Sequence, residues 1–264
     1  MNSDPLIALH AVLHGLDGAE VAVSGGVDSL TLAAAAHDVL GARARMRHAV
    51  SPAVPPEATA RTRALAATRG WRLDVFDAGE FADPRYRANP ANRCFFCKTN
   101  LYDAIAARAD GGTILSGTNT DDLGDWRPGL EAAAAHGVRH PFVEAGIDKA
   151  TVRQLALRLG LGAVSDLPAA PCLSSRIETG IRVEPDLLAL VHGAERLLTE
   201  ALAPRTVRAR VRASGLVIEL DPEALARAAP LQDDLRAALG RLTERPVSFA
   251  PYRTGSAFLR DAAP

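Results

Sequence analysis

Along the first half of the chain, short apolar runs alternate with longer Ala- and Leu-rich stretches in which apolar residues recur at three- and four-residue spacing. The runs at 20–23, 44–50, 71–76 and 113–116 read as strands, and the stretches at 29–40, 56–69 and 98–109 read as helices between them. Crossovers of that length suit βαβ units, so the pattern predicts a parallel sheet with helices packed on its faces. A further helix is punctuated at both ends. Asp148 can cap it, Val152, Leu155, Ala156 and Leu159 recur on one face, and Gly160 can end it.

The stretch 161–182 is irregular and rich in Pro, Ser and Gly, as expected of a functional loop or a domain junction. A helix over 185–202 with Pro at its first position follows. From 206 to 220 the pattern changes to alternation on either side of Ser214-Gly215, which reads as a β-hairpin. A helix at 233–242 and a strand at 246–250 complete a small α+β unit. The expected fold is therefore α/β: a parallel sheet with flanking helices over 1–165, and a smaller α+β C-terminal domain over 166–264.

With 264 residues, 48% apolar and 23% charged, the chain can bury one large core or two smaller ones, which excludes a disordered or fibrous protein. Thirty basic against thirty-one acidic residues leave a net charge of −1, so nucleic acid is not an expected partner. No window approaches the roughly 18 apolar residues of a membrane span, and the first residues lack a basic signal region, so a cytoplasmic protein without a membrane partner is expected. The three cysteines, Cys94, Cys97 and Cys172, are too few and odd in number for a disulfide framework.

The first strand runs directly into Ser24-Gly25-Gly26-Val27-Asp28-Ser29 and then into a helix. Consecutive glycines let backbone N–H groups approach phosphate oxygens, the helix N-terminus is positive, and two hydroxyls can add hydrogen bonds. No lysine follows the glycines, and the spacing is not that of a dinucleotide fingerprint. The plain alternative is a Gly-rich turn. A second element, Ser116 to Gly129, follows the fourth strand and carries Asn119, Asp121 and Asp122. Loops after parallel strands converge on one edge, so these aspartates can share a site with the phosphate loop and suit Mg²⁺; otherwise they cap an Asx-rich turn, with Arg127 and Gly129 at the surface.

Cys94-Phe95-Phe96-Cys97 reads as a CxxC loop leading into a helix: a redox pair, half of a zinc site, or two core cysteines. Cys172 follows Pro168 and Pro171 in a segment that is a poor place for a core thiol. Three thiolates can leave one iron of a 4Fe-4S cluster open, and that iron could carry a sulfide. Zinc with His48 or His140 as fourth ligand is the metal alternative. The pairs His10/His14 and His136/His140 lack the glutamate of a zinc hydrolase motif and read as solvated helix faces.

The loop SGGVDS resembles that of the PP-loop ATP pyrophosphatases. That resemblance implies an adenine nucleotide alpha hydrolase-like fold and cleavage of ATP to AMP and pyrophosphate as a substrate oxygen attacks the α-phosphorus. Ser24, Gly25, Gly26, Asp28, Ser29, Asn119 and Asp121 would bind ATP, and Asp28 and Asp122 would hold Mg²⁺. Five elements together, SGGVDS, NRCFFCK, GTNTDDLGDWRPG, EAGIDK and PAAPCLSSRI, look like the LarE family of sulfur transferases within that group, over roughly residues 15 to 220. The resemblance implies that a pyridinium dicarboxylate mononucleotide is adenylated on a carboxylate and that sulfur then replaces AMP. The product matures into the nickel pincer nucleotide cofactor of lactate racemase and related enzymes.

The family has a sacrificial form, in which the Cys172 position loses its sulfur, and a form in which three cysteines hold a 4Fe-4S cluster bearing a replenishable sulfide. Cys94, Cys97 and Cys172 match the three-cysteine, cluster-binding form, with an external sulfide donor as partner. By the same resemblance Ser175, Arg176 and Glu195 lie by the reactive centre with Cys172, Arg210 and Arg212 grip the substrate phosphate, and Arg253 adds a contact. Two arginines separated by one residue point to one strand face and suit a phosphate monoester, or else protect a strand edge. The chain departs from the family at Ala213, Ser214 and Val217, which bears on the substrate's identity. The resemblance also implies a homo-oligomer, a hexamer. The rivals are a tRNA thiolase, an amidating ATP pyrophosphatase of the NAD synthase type, and a metal-binding regulatory module without activity.

Overall fold

In a computed structural model that describes residues 4–124, 127–168 and 171–259, the chain starts with α1 (Pro5–His14), β1 (Ala19–Ala22), α2 (Val27–Leu40), β2 (Ala44–Ala49), α3 (Pro56–Arg69) and β3 (Arg72–Phe76). There follow α4 (Pro84–Arg87), α5 (Arg93–Ala106), β4 (Thr113–Leu115), α6 (Pro128–Ala135), α7 (Pro141–Glu144) and α8 (Lys149–Arg158). The rest is α9 (Pro185–Leu202), β5 (Val207–Arg212), β6 (Gly215–Leu220), α10 (Pro222–Ala228), α11 (Gln232–Gly240) and β7 (Val247–Pro251). Asp125 and Trp126 of the carboxylate-rich element, and Ala169 and Ala170 ahead of Cys172, lie outside the described residues. The chain divides into two units, Met1–Asp83 with Cys94–Ala170, and Pro84–Arg93 with Pro171–Pro264.

In the first unit the sheet is parallel throughout, in the order β3-β2-β1-β4. β2 and β3 extend to one side of β1 and β4 to the other, so the strand order reverses at β1 and opens a crevice beyond the carboxyl ends of β1 and β4. The helix that leaves this crevice, α2, packs against both α1 and α8. Leu30, Leu32 and the four alanines Ala33 to Ala36 are all fully buried, and so the stretch reads as continuously apolar rather than one-sided. α8 is capped as its sequence predicts: the Asp148 side chain accepts from the Thr151 N–H, and Val152, Leu155 and Ala156 are buried. The sheet also buries charge. Glu20, 1% exposed, accepts from Arg45 at 3.1 Å and Arg47 at 2.6 Å, and Arg47 reaches Asp74 at 2.7 Å, so one ion network crosses three strands in register.

In the second unit β5 and β6 form the predicted antiparallel hairpin, from Val207↔Leu220 to Arg212↔Gly215, and β7 adds to β6 in parallel. The two-residue turn is Ala213-Ser214, one position earlier than the sequence suggests. Gly215 instead marks a close approach: its φ is +135°, and a Cβ there would lie 2.3 Å from the Pro246 carbonyl oxygen. α9 covers the hairpin by burying Leu188, Val191, Ala194, Leu198 and Leu202.

The excursion Pro84–Arg93 belongs to this second unit, which no local pattern announces. Its backbone is engaged there: the Val183 N–H donates to the Arg87 carbonyl and the Gly180 N–H to the Asn89 carbonyl. Asn89 is fully buried with φ +56°, and its Nδ2 donates to the Glu178 and Ile181 carbonyls, each at 2.8 Å. Asn is among the few residues that tolerate that conformation, and its amide satisfies carbonyls that burial would otherwise leave unpaired. Asn89→Ala is expected to cost about 2 kcal/mol of stability, read from urea unfolding. An unchanged midpoint would show that water replaces the amide.

Two local readings are corrected. Cys94 and Cys97 lie within the first five residues of α5, not in a loop before it, because the Arg93 N–H closes a turn on the Pro90 carbonyl and the helix starts there. His136 and His140 share no helix face: His136 ends α6 and His140 precedes α7.

Candidate active site

The predicted phosphate loop occupies the crevice beyond β1. Gly25 takes φ +82°, and a Cβ on it would lie 2.7 Å from the Ala58 carbonyl oxygen, so glycine is required there. The Ser29 hydroxyl lies 3.1 Å from that of Ser24, accepts from the Ser24 N–H at 3.0 Å and donates to the Gly26 carbonyl, which closes the loop on itself. Gly26 caps α2 without a side-chain hydrogen bond. The N–H groups of that helix's first turn are thus not consumed by a cap, and an anion there meets both them and the helix dipole.

Asp28 stands in that first turn of α2. Its carboxylate accepts from Lys149 Nζ at 2.7 and 2.5 Å and from Asn119 Nδ2 at 3.3 Å. Asn119, 2% exposed, in turn accepts from the Asp121 N–H, while Asp122 accepts from the Asn119 N–H and pairs with Arg127 at 2.8 Å. Asp121 also accepts from the Lys149 N–H. The structure therefore brings Ser24, Gly25, Gly26, Asp28, Ser29, Asn119 and Asp121 to one edge of the sheet, with Asp122 hydrogen-bonded to the same loop. Gly117 makes this possible, since a Cβ there would lie 2.9 Å from the Asp28 backbone. Both ring nitrogens of His48 are occupied, by the Val23 carbonyl and the Thr59 hydroxyl, and burial pushes its pKa down.

Cys94 and Cys97 belong to the first unit, whereas the second holds Cys172, Ser175, Arg176, Glu195, Arg210, Arg212 and Arg253, most of them in two charge clusters. In the first, Arg176 forms a two-pronged pair with Glu195 at 2.8 and 3.1 Å. The third prong, Nη1, donates to the Pro171 carbonyl at 2.7 Å, the Cys172 carbonyl at 3.3 Å and the Ser175 hydroxyl at 2.9 Å. Glu195 also accepts from the Ala209 N–H. Arg176 thereby fastens the backbone of Cys172, whose thiol is exposed, to α9 and β5.

In the second cluster Arg210 and Arg212 do share a face, and both point at Glu219. Arg210 donates Nε to Glu219 at 3.0 Å, Nη1 to the Ser175 carbonyl and Nη2 to the Arg253 carbonyl, so all three of its arms are engaged. Arg212 reaches Glu219 at 3.0 Å and Glu178 at 3.4 Å. A cavity of about 570 Å³ opens beside them, lined by Arg212, Glu219, Arg253, Thr254 and Ser256 among others.

No protein-family model matches the chain. An uncharacterized protein of Synechocystis is 42% identical over 211 residues, 79% of this chain and 78% of that one. The pyridinium-3,5-bisthiocarboxylic acid mononucleotide synthase of Lactiplantibacillus plantarum is 33% identical over 221 residues, 82% of this chain and 79% of the synthase. The chain belongs to the LarE family. An uncharacterized protein of Methanocaldococcus jannaschii is 25% identical over 138 residues, about half of each chain.

In this LarE-family chain the cluster that the resemblance implies would draw on three cysteines, Cys94, Cys97 and Cys172. Cys94 and Cys97 stand one helical turn apart in α5, a spacing that puts two soft thiol donors on one side of a helix, and the donor chemistry fits iron. Cys172 is in the other unit, and among the described residues no three His, Cys, Asp or Glu side chains are gathered as a metal site. Also among the described residues, no helix is long and apolar enough to cross a membrane.

Two residues beside the predicted ones were not singled out from sequence. Lys149 lies within the EAGIDK element, and a lysine at the start of a helix, where the dipole disfavours cations, was the available signal. Glu219 is the carboxylate on the strand facing three alternate arginines, Arg208, Arg210 and Arg212, a cross-strand pattern that calls for charge pairing.

Proposed function

We propose that this chain is an ATP-dependent sulfur transferase that converts a carboxylate of a pyridinium dicarboxylate mononucleotide into a thiocarboxylate, in the biosynthesis of a nickel pincer nucleotide cofactor. The observation that carries the reading is a glycine loop with a helix N-terminus free of a side-chain cap at the switch point of the sheet, in a chain 33% identical to a named mononucleotide synthase. In the first step a substrate carboxylate oxygen attacks the α-phosphorus of ATP and pyrophosphate leaves. In the second a sulfur nucleophile attacks the carbonyl carbon of the acyl-adenylate and AMP leaves with the bonding pair.

The loop N–H groups, Ser24, Ser29 and the α2 N-terminus would cradle the pyrophosphate, with Asp28 and Asp122 holding Mg²⁺ against it. Asn119 and Asp121 would steady that carboxylate set. Cys172, fastened by Arg176 and backed by Ser175 and Glu195, would stand at the sulfur-transfer step. Cys94, Cys97 and Cys172 would hold a 4Fe-4S cluster, which when bound supplies a replaceable sulfide. A second reading, transfer of the Cys172 sulfur itself, is favoured by the exposure of that cysteine, whose carbonyl accepts from Arg176.

Anaerobic protein incubated with ATP, Mg²⁺, sulfide and the dicarboxylate mononucleotide should form AMP, pyrophosphate and thiocarboxylate together, with about four irons per chain that are lost in Cys172→Ala. One thiocarboxylate per chain with Cys172 converted to dehydroalanine would select the second reading. Pyrophosphate release that ignores the mononucleotide would overturn both.

A further inference from the structure

The cavity in the second unit already contains an anion of its own. Glu219 is buried, its side chain 3% exposed, and it is ringed by donors: Arg210 Nε and Arg212 Nη2 at 3.0 Å, the Ser256 hydroxyl at 2.5 Å and the Arg253 N–H at 3.4 Å. Burial alone would push its pKa up, but the Ser256 hydroxyl and the Arg210 charge outweigh it and bring it below the ordinary glutamate range, so it is ionised at neutral pH. The same carboxylate forms part of the cavity wall with Arg212, Arg253 and Ser256. Donors that would suit a phosphate, two guanidinium arms and a hydroxyl, are thus spent on a carboxylate of the chain. Arg212 is held from its other side by Glu178, whose second oxygen accepts from the Ala213 N–H.

This bears on what the cavity can retain. An entering phosphate group would share Arg212 and the Ser256 hydroxyl with Glu219 and would sit within a few ångströms of its negative charge, in a region where water screens little. Arg253, exposed at the rim, is a cation of the wall that Glu219 engages only through its backbone N–H. We propose that Glu219 is the selectivity element of this cavity: an internal carboxylate that competes with phosphate oxygens for Arg212 and Ser256. It weakens the hold on small free anions, so that occupancy requires a phosphate monoester whose remaining atoms make further contacts. This rests on the proposed function and on the role that the family resemblance implies for Arg210 and Arg212, a grip on the substrate phosphate, with the cavity beside them taken to receive the phosphate end of the mononucleotide.

The role differs from positioning alone, and the two predict opposite signs. If Glu219 only oriented the arginines, removing its charge would loosen them and weaken anion binding. If it competes, removing its charge strengthens anion binding. In the full-length protein, Glu219→Gln is expected to bind inorganic phosphate and ribose 5-phosphate about tenfold more tightly than the wild type by calorimetry, with the larger gain for inorganic phosphate. Its melting temperature should fall without anion, because Arg210 is left buried without its charge partner, and phosphate should raise it more than it raises that of the wild type. Glu178→Gln, nearer the surface, keeps the acceptor for the Ala213 N–H and releases Arg212 from its other side. It should show a smaller gain of the same sign and covers the case in which Glu219→Gln does not fold.

Equal or weaker phosphate binding in both variants, with ribose 5-phosphate binding retained by the wild type and lost in Arg212→Ala, would overturn the role of Glu219 and leave the phosphate subsite standing. Ribose 5-phosphate binding that is absent from every form would overturn the subsite reading, and the selectivity role with it.

Discussion

Asp28→Asn is expected to lower ATP-dependent pyrophosphate release by on the order of 10²- to 10³-fold while leaving the fold intact. The carboxylate sits in the first turn of α2, beside the N–H groups that would cradle phosphate, and it carries negative charge where a divalent cation would be needed to bridge to the nucleotide. Asn keeps the size and one acceptor oxygen but removes the charge. The structural cost is small, because Asp28 and its partner Lys149 are both only half-buried, and an ammonium released from the pair stays in contact with water. The check is a coupled pyrophosphate assay beside a thermal melt. A melting temperature close to that of the wild type with more than about a tenth of the rate retained would remove Asp28 from the proposed metal set.

Arg176→Met is expected to cost about 3–5 kcal/mol in denaturant unfolding, which would leave little of the second unit's stability in reserve. Arg176 is 4% exposed at its side chain and Glu195 is largely covered, so removing one partner strands the other charge. The double variant Arg176→Met/Glu195→Leu should recover most of that loss, since two apolar groups of similar size no longer need solvation or pairing. It should not recover sulfur transfer. The Pro171 and Cys172 carbonyls would still lack the guanidinium arm that fixes them, and Cys172 would no longer be presented in one position. Recovery of both stability and transfer would show that Arg176 matters only as half of a buried pair.

Much of the fold could be read along the chain because the information is local. The parallel strands, the helix capped by Asp148 and the hairpin before Gly215 are each encoded within one element, by periodicity, a cap or a turn. The glycine loop of 24–29 is equally local: six consecutive residues carry both the required glycine conformation and the hydroxyls that close it. Elsewhere local cues misled. The CxxC reads as a loop because Asn89 to Asn92 precede it, yet the helix starts at Arg93 and carries both thiols within its first five residues. The hairpin turn sits one residue early because Gly215 is needed for the approach of Pro246, a residue far along the chain.

By itself the sequence determined an α/β parallel-sheet fold, the glycine loop after its first strand and the identity of the candidate charged and thiol groups. Those follow from steric preference and hydrophobic periodicity, which act over a few residues. Only the tertiary structure decided that Pro84–Arg93 belongs with the C-terminal unit, that Lys149 reaches Asp28 across 121 positions, and that Arg210 and Arg212 close on Glu219. The physical reason is that a charge takes whichever partner burial and strand register bring within about 3 Å, and that distance is closed by packing rather than by spacing along the chain.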